Sequence, residues 1–355
     1  MKKFRNAALI VLVLATSIIL ILGFTYKNKI GPVSKDDKLV VFKIPQGATI
    51  REVGKLLEQK GLIKDEKYFY LYVKFNDIKN LEAARYKLAP NMGVKKIIET
   101  IQEGGVDREE VKITFREGLN MRAIARVIEK NTANTYDDVF NLLKDKEYID
   151  KLIETYWFLT DEVKNDKIYY PLEGYLFPET YIVYDDSSVK EIFQKMLSHT
   201  SKILSKYKTQ IEESDYSAHE ILTLASIIEL ESSSSQDSKN KVSGVFYNRM
   251  NKGMTLGSDV TGYYGAKMDD WTKGLGSHVN DCNGYNTRGT CVKGLPVGPV
   301  CNPGERSVKA ALNPSVHSYY FFVADCDGKT YLTKTNSEHE NMIAKLRKAG
   351  KWCDK

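Results

Sequence analysis

The sequence predicts an α+β ectodomain carried on a single N-terminal transmembrane helix. Three observations predict it: an uncharged, almost wholly aliphatic stretch from Ala7 to Phe24, a strand-turn-helix figure that occurs twice before residue 130, and a later region of glycine, proline and aromatic punctuation around one apolar helix. The 355 residues are 42% hydrophobic and 28% charged, close to globular averages, which argues against wholesale disorder and against a polytopic membrane protein. Lysine and arginine number 52 against 46 acids, a net charge of +6 without a long basic run, so no nucleic-acid partner is expected.

Residues 1–6, with Lys2, Lys3 and Arg5, read as a cytoplasmic tail, and residues 7–26 as the transmembrane helix. At about 1.5 Å per residue, Ala7 to Phe24 reaches about 27 Å, against a hydrocarbon core of about 30 Å. Nothing resembling a small-x-small cleavage site follows Leu22, so the segment reads as a retained anchor and not as a cleaved signal peptide. No cysteine lies near it, which removes lipoprotein processing. Positive charge ahead of the span orients the N-terminus inward, making this a single-pass protein of the cell membrane with its C-terminal bulk extracytoplasmic. Cys282, Cys291, Cys301, Cys326 and Cys353 all fall in the last quarter of the chain, where an oxidising compartment permits pairing. Cys282 and Cys291 are the closest pair in sequence, but the pairing cannot be read, and an odd count leaves one thiol over.

Residues 27–38 form a polar connector. Leu39 to Ile44 then reads as a strand, Pro45-Gln46-Gly47 as a turn, and Ile50, Val53, Leu56 and Leu57 as the apolar stripe of a helix. The figure returns with Val111 to Phe115, Arg116-Glu117-Gly118, and Met121, Ile124, Val127 and Ile128, which predicts a duplicated module. Tyr86-Lys87-Leu88 and Val94 to Ile101 add a strand and a helix to the first copy. Residues 39–110 resemble the LysM-type modules that hold polysaccharide chains. Residues 111–167 comprise the second strand-turn-helix module and a helical connector, and the domain boundary is placed near Ile168, leaving 168–355 as the catalytic domain.

Several chemistries are removed by their missing signatures. His219-Glu220 has no second histidine at zincin spacing, and neither a GxSxG elbow nor a GxxxxGK[ST] loop occurs. Carboxylates are left. The run Ile221 to Glu231 is too continuously apolar for a surface helix and predicts a buried one, whose last turn carries Glu229 and Glu231. Glu229 shares a face with Ala225 and Leu222, while Glu231 is rotated by about 200° from it, so the two cannot serve one site. A carboxyl emerging from an apolar wall has its charged form disfavoured and is disposed to donate a proton, as cleavage of a glycosidic bond requires. The alternative is an acid that caps, pairs or reaches water at a helix end. Pro171 to Tyr181 is an aromatic-proline-acid loop suited to stacking on sugar faces and binding their hydroxyls, or else a packed turn.

Together the motifs LEGYLFPETY, ASIIELE, VFYNRM, LGSD, YNT, GLPVGPVCNPG, AALNP and YYFFVAD, with Thr335, Glu338 and His339 after them, resemble the endolytic murein transglycosylase family, the MltG or YceG-like proteins. The resemblance implies cleavage inside peptidoglycan glycan strands, between N-acetylmuramic acid and N-acetylglucosamine, leaving 1,6-anhydromuramic ends. No metal or cofactor is implied. It places Glu229 at the catalytic position, first protonating the bridging oxygen and then accepting the proton of the attacking C6 hydroxyl. Glu173, Ser258, Asp259, Tyr285 and Asn286 are its candidates for gripping substrate or orienting that acid. Its implied surroundings are glycan strands, the cytoplasmic membrane and the glycan-polymerising synthases. The chain departs from the family pattern at Gly257, where glutamine is usual, and at Val260 and Val297, where proline is usual. Two other functions remain on this reading: a hydrolytic muramidase with Glu173 or Asp259 as second carboxylate, and a noncatalytic glycan-binding scaffold.

Overall fold

The computed structural model describes residues 2–79, 81–106 and 109–353, with the backbone alone for 2–12 and 15. The chain divides into two compact units, residues 1–109 and 110–355. Helix α1 (Lys2–Ile30) is followed in the first unit by β1 (Val40–Lys43), α2 (Ile50–Gln59), α3 (Glu66–Phe75), β2 (Arg85–Leu88) and α4 (Gly93–Glu103). β1 and β2 pair antiparallel, Val40 opposite Leu88 and Lys43 opposite Arg85. α2 starts at a reciprocal cap: Glu52 N–H donates to the Thr49 hydroxyl at 3.3 Å, and Thr49 N–H to the Glu52 carboxylate at 2.7 Å. Its apolar stripe, Val53 and Leu57, closes a core with Phe69, Tyr86, Leu88 and Ile97.

The connector expected at 27–38 is helical through Ile30. The reason is contact with α3: the Tyr26 ring lies 6.2 Å from that of Tyr68, and Lys29 Nζ lies 3.2 Å from Asp65. Further back on α1, Val13, Leu14, Ile18 to Leu22 and Phe24 leave their side chains exposed. Among the described residues no helix is long and apolar enough to cross a membrane. The side chains of 7–12 and 15, on which much of the expected span rests, lie outside the described residues.

The second unit runs β3 (Glu110–Thr114), α5 (Met121–Asn131), α6 (Tyr136–Leu143), α7 (Lys146–Thr155), β4 (Thr180–Tyr184), α8 (Val189–Leu204), α9 (Lys208–Glu212), α10 (Ala218–Glu231), α11 (Gln236–Asn251), α12 (Asp259–Gly265), α13 (Glu305–Leu312), β5 (Phe321–Ala324), β6 (Thr330–Thr333) and α14 (Asn336–Lys348). Both strand-turn-helix figures form, each with its turn glycine, Gly47 and Gly118, at positive φ. They close differently. β1 finds β2 in its own unit, whereas β3 pairs with β4, Glu110 opposite Tyr184 and Thr114 opposite Thr180. Packing therefore continues across Ile168, where the sequence suggested a boundary. Ile113, Phe115, Ile124 and Ile128 are buried in one core with Leu172, Tyr175, Phe193 and Leu224.

α10 occupies the middle of that core. From Ala218 to Ile228 every residue but Glu220 is buried, as a nearly all-round apolar helix requires, and α10 packs on α11 and α13. β5 and β6 form a hairpin, Phe321 opposite Thr333, with α14 beside it. Disulfides join Cys282 to Cys291 and Cys326 to Cys353; Cys301 is a buried free thiol that donates to the Ser226 carbonyl at 3.3 Å. Because β4 depends on β3, residues 110–355 produced alone should melt cooperatively. A fragment beginning at Ile168 should lack a cooperative transition by circular dichroism.

Candidate functional site

The last turn of α10 sends its two acids in opposite directions. Glu229 turns inward: Oε1 accepts from Lys239 Nζ at 3.1 Å, and Oε2 from Ser307 Oγ at 2.7 Å and from Gly304 N–H at 3.0 Å. Lys239, from α11, is 1% exposed and also donates to Ser307 Oγ at 2.9 Å. Gly304 is the N-cap of α13 and Ser307 lies in its first turn, so the carboxylate both pairs a buried ammonium and sits at a helix N-terminus. The apolar enclosure expected around Glu229 is thus a ring of donors.

Glu231 turns the other way, to a groove of about 530 Å³. Its Oε1 accepts from Ser258 Oγ at 2.6 Å. Arg249, Asp259, Arg288, Asn336, His339 and Trp352 share the lining, together with Phe321 and Phe322 of β5. Arg249 is held by donating Nε to the Tyr320 carbonyl at 2.6 Å and a second nitrogen to the Leu256 carbonyl, with its guanidinium 5.1 Å from the Phe321 ring. Burial pulls the Arg249 pKa down, the charge of Glu231 pulls it back up, and Arg288 adds to the lowering; it remains a cation facing the groove.

Of the candidates named from sequence, Ser258 and Asp259 line this groove and four do not. Asp259 pairs with Arg288 at 3.0 Å. Glu173 is wholly buried: Oε2 accepts from Met121 N–H and the Tyr264 hydroxyl, each at 2.9 Å, and Oε1 from Asn302 Nδ2 at 3.1 Å. Loss of water pushes its pKa from 4.5 up to about 7, against the pull of those donors and of Arg122. Tyr285 is buried between Tyr169 and Tyr264, each ring 4.7 Å away, and its hydroxyl accepts from Tyr169 N–H. Asn286 donates to the Asp281 and Val279 carbonyls and accepts from Arg288 N–H, shaping the loop that delivers Arg288. Among the described residues no three His, Cys, Asp or Glu side chains converge as a metal site needs.

Two of the three departures from the family pattern have local causes; Val260 has none in the structure. Gly257 has φ +61°, and a Cβ there would stand 3.0 Å from an Arg249 guanidinium nitrogen, so glycine leaves that side chain its place. Val297 N–H donates to the Gly284 carbonyl at 2.9 Å, a bond proline cannot make.

This second unit is of the class in which an α+β scaffold presents a hydrogen-bonded carboxylate from the end of a buried helix to a groove lined by cations and aromatic rings. The YceG-like family model matches residues 42–345, and the chain belongs to that family. It is similar to the endolytic murein transglycosylase of Bacillus subtilis, 35% identical over 92% of this chain and 91% of that protein. It is also similar to that of Streptococcus pneumoniae, 29% identical over 86% of this chain, which spans 58% of the streptococcal length. Among solved structures, a yceG-like protein of Listeria monocytogenes superposes with a TM-score of 0.61 at 33% identity, covering 86% of this chain and 99% of that one.

Lys239→Met should destabilise the second unit by about 3 kcal/mol, since it strands a buried carboxylate, and the double variant with Glu229→Gln should cost less than the sum of the singles in denaturant melts. Glu173 gives a pH signature. Its folded pKa lies above the unfolded value, so its contribution is intact below pH 4.5 and lost as pH rises through 7. Stability should therefore fall by up to about 3 kcal/mol across that interval, and Glu173→Gln should flatten the slope in melts at paired pH values.

Proposed function

We propose that this chain is an endolytic murein transglycosylase whose working acid is Glu231. The observation that carries the assignment is that Glu231 is the α10 carboxylate lining the groove, while Glu229 is committed to Lys239, Ser307 and Gly304. Protonated Glu231 gives its proton to the glycosidic oxygen between N-acetylmuramic acid and N-acetylglucosamine as the bond breaks through an oxocarbenium-like state. The resulting carboxylate then takes the proton of the C6 hydroxyl that attacks C1, which closes the 1,6-anhydro ring. An intramolecular hydroxyl already near C1 has a large effective concentration, so one carboxyl is enough. Ser258 Oγ fixes the orientation of Glu231, and the Arg249 guanidinium lies close enough to feel its charge.

The same reading extends to the rest of the chain. The exposed aliphatic side chains of α1 support a membrane anchor, and two disulfides support an extracytoplasmic second unit. The strand-helix-helix-strand order of the first unit supports a LysM-like glycan-holding module. An enzyme so placed would cut nascent strands beside the synthases that extend them.

Glu231→Gln should lower cleavage of purified glycan strands by about a thousandfold with little change in melting temperature. Mass spectrometry of the wild-type products should show anhydro ends. Reducing ends would mean that water attacks, with Asp259 and Glu340 the other carboxylates lining the groove.

A further inference from the structure

We propose that Trp352 is a sugar-stacking platform on the groove wall, held in place by the Cys326–Cys353 disulfide. The inference rests on the reading of the Glu231 groove as the glycan site. Two residues past the end of α14, Gly350 has φ +63°, its N–H donating to the Arg347 carbonyl at 3.1 Å and Lys351 N–H to the Leu346 carbonyl at 2.9 Å. These two bonds together reverse the chain at a helix end and aim the next residue back along the helix. That residue is Trp352. It lines the same groove as Glu231, and the Arg347 guanidinium sits 5.2 Å from its ring centroid.

Residues 351–353 have no helix or strand of their own, yet they are clasped on both sides of the indole. Lys351 O accepts from Cys326 N–H at 3.0 Å, and Cys353 is bonded to the Cys326 sulfur, in the turn between β5 and β6. Two attachments to one turn fix a half-buried aromatic side chain before any ligand arrives. A flat indole complements the C–H face of a pyranose, and the polar groups of Asn336, His339 and Glu340 on the same wall suit its hydroxyl and acetamido substituents. Holding the ring in advance spares the ligand the cost of ordering it.

The test uses the full chain and uncrosslinked glycan strands. Trp352→Ala should raise KM about tenfold with kcat within about twofold, and Trp352→Phe should restore most of the loss. Replacing Cys326 and Cys353 by serine should raise KM similarly while the melting temperature reports a folded unit. In the Glu231→Gln background, a tetramer of N-acetylglucosamine should quench tryptophan fluorescence, and adding Trp352→Ala should abolish the quench. An unchanged KM in Trp352→Ala, a fall in kcat as large as the rise in KM, failure of Trp352→Phe to rescue, or an unchanged KM in the double-serine variant each overturns the proposal. Retained cleavage by Glu231→Gln would instead remove the acid assignment, and the KM values would still decide the role of Trp352.

Discussion

The ion pair between Glu229 and Lys239 organises the second unit around it. It joins the end of α10 to α11 and, through Gly304 and Ser307, to the start of α13. A pair of this kind is a poor source of net stability, because desolvating both charges offsets most of their attraction. Its value is geometric. An arrangement that misplaced any of the three helices would leave a buried charge without its partner, so only one packing is tolerated. Two residues further on, Glu231 inherits that rigidity and is presented from the fixed end of a buried helix.

A second set of polar ties holds the loops that surround α10. Asn302 accepts from Leu176 N–H at 2.8 Å and donates to the Leu119 carbonyl and to Glu173, while Glu173 reaches Met121 and Tyr264. Asp269 adds Arg122 at 2.7 Å and Arg126 at 3.0 Å. These contacts connect segments far apart in sequence, and they account for the richness of the motif loops in polar and aromatic residues. Much of what looks like ligand chemistry there is the chain binding itself, with the groove left to a smaller group of side chains.

The mixed α+β architecture and the buried character of α10 were legible because periodicity and composition act locally, and the strand-turn-helix figures were legible for the same reason. The partner of β3 was not, since nothing within Glu110–Thr114 says that its complement is Thr180–Tyr184 and not a nearer strand. The two acids of α10 show the limit most clearly. Helical rotation separated Glu229 from Glu231, but the inward position of Glu229 was also a sign that a buried acid must find a cation, and Lys239 stands ten residues later. Arg249, Arg288 and Trp352 carried no such sign: each reaches the groove through a loop reversal or a tertiary contact that a single sequence does not encode in its neighbours.

Cys301 has a bearing on how the molecule matures. In the finished structure its sulfur is sealed in the interior, and burial pushes the thiol well above its ordinary pKa, leaving almost no nucleophilic thiolate. In a nascent chain the same sulfur is free to compete with four others, Cys291 being ten positions away. Once the interior closes, the fifth sulfur is withdrawn from the competition, and the two bridges are beyond its reach.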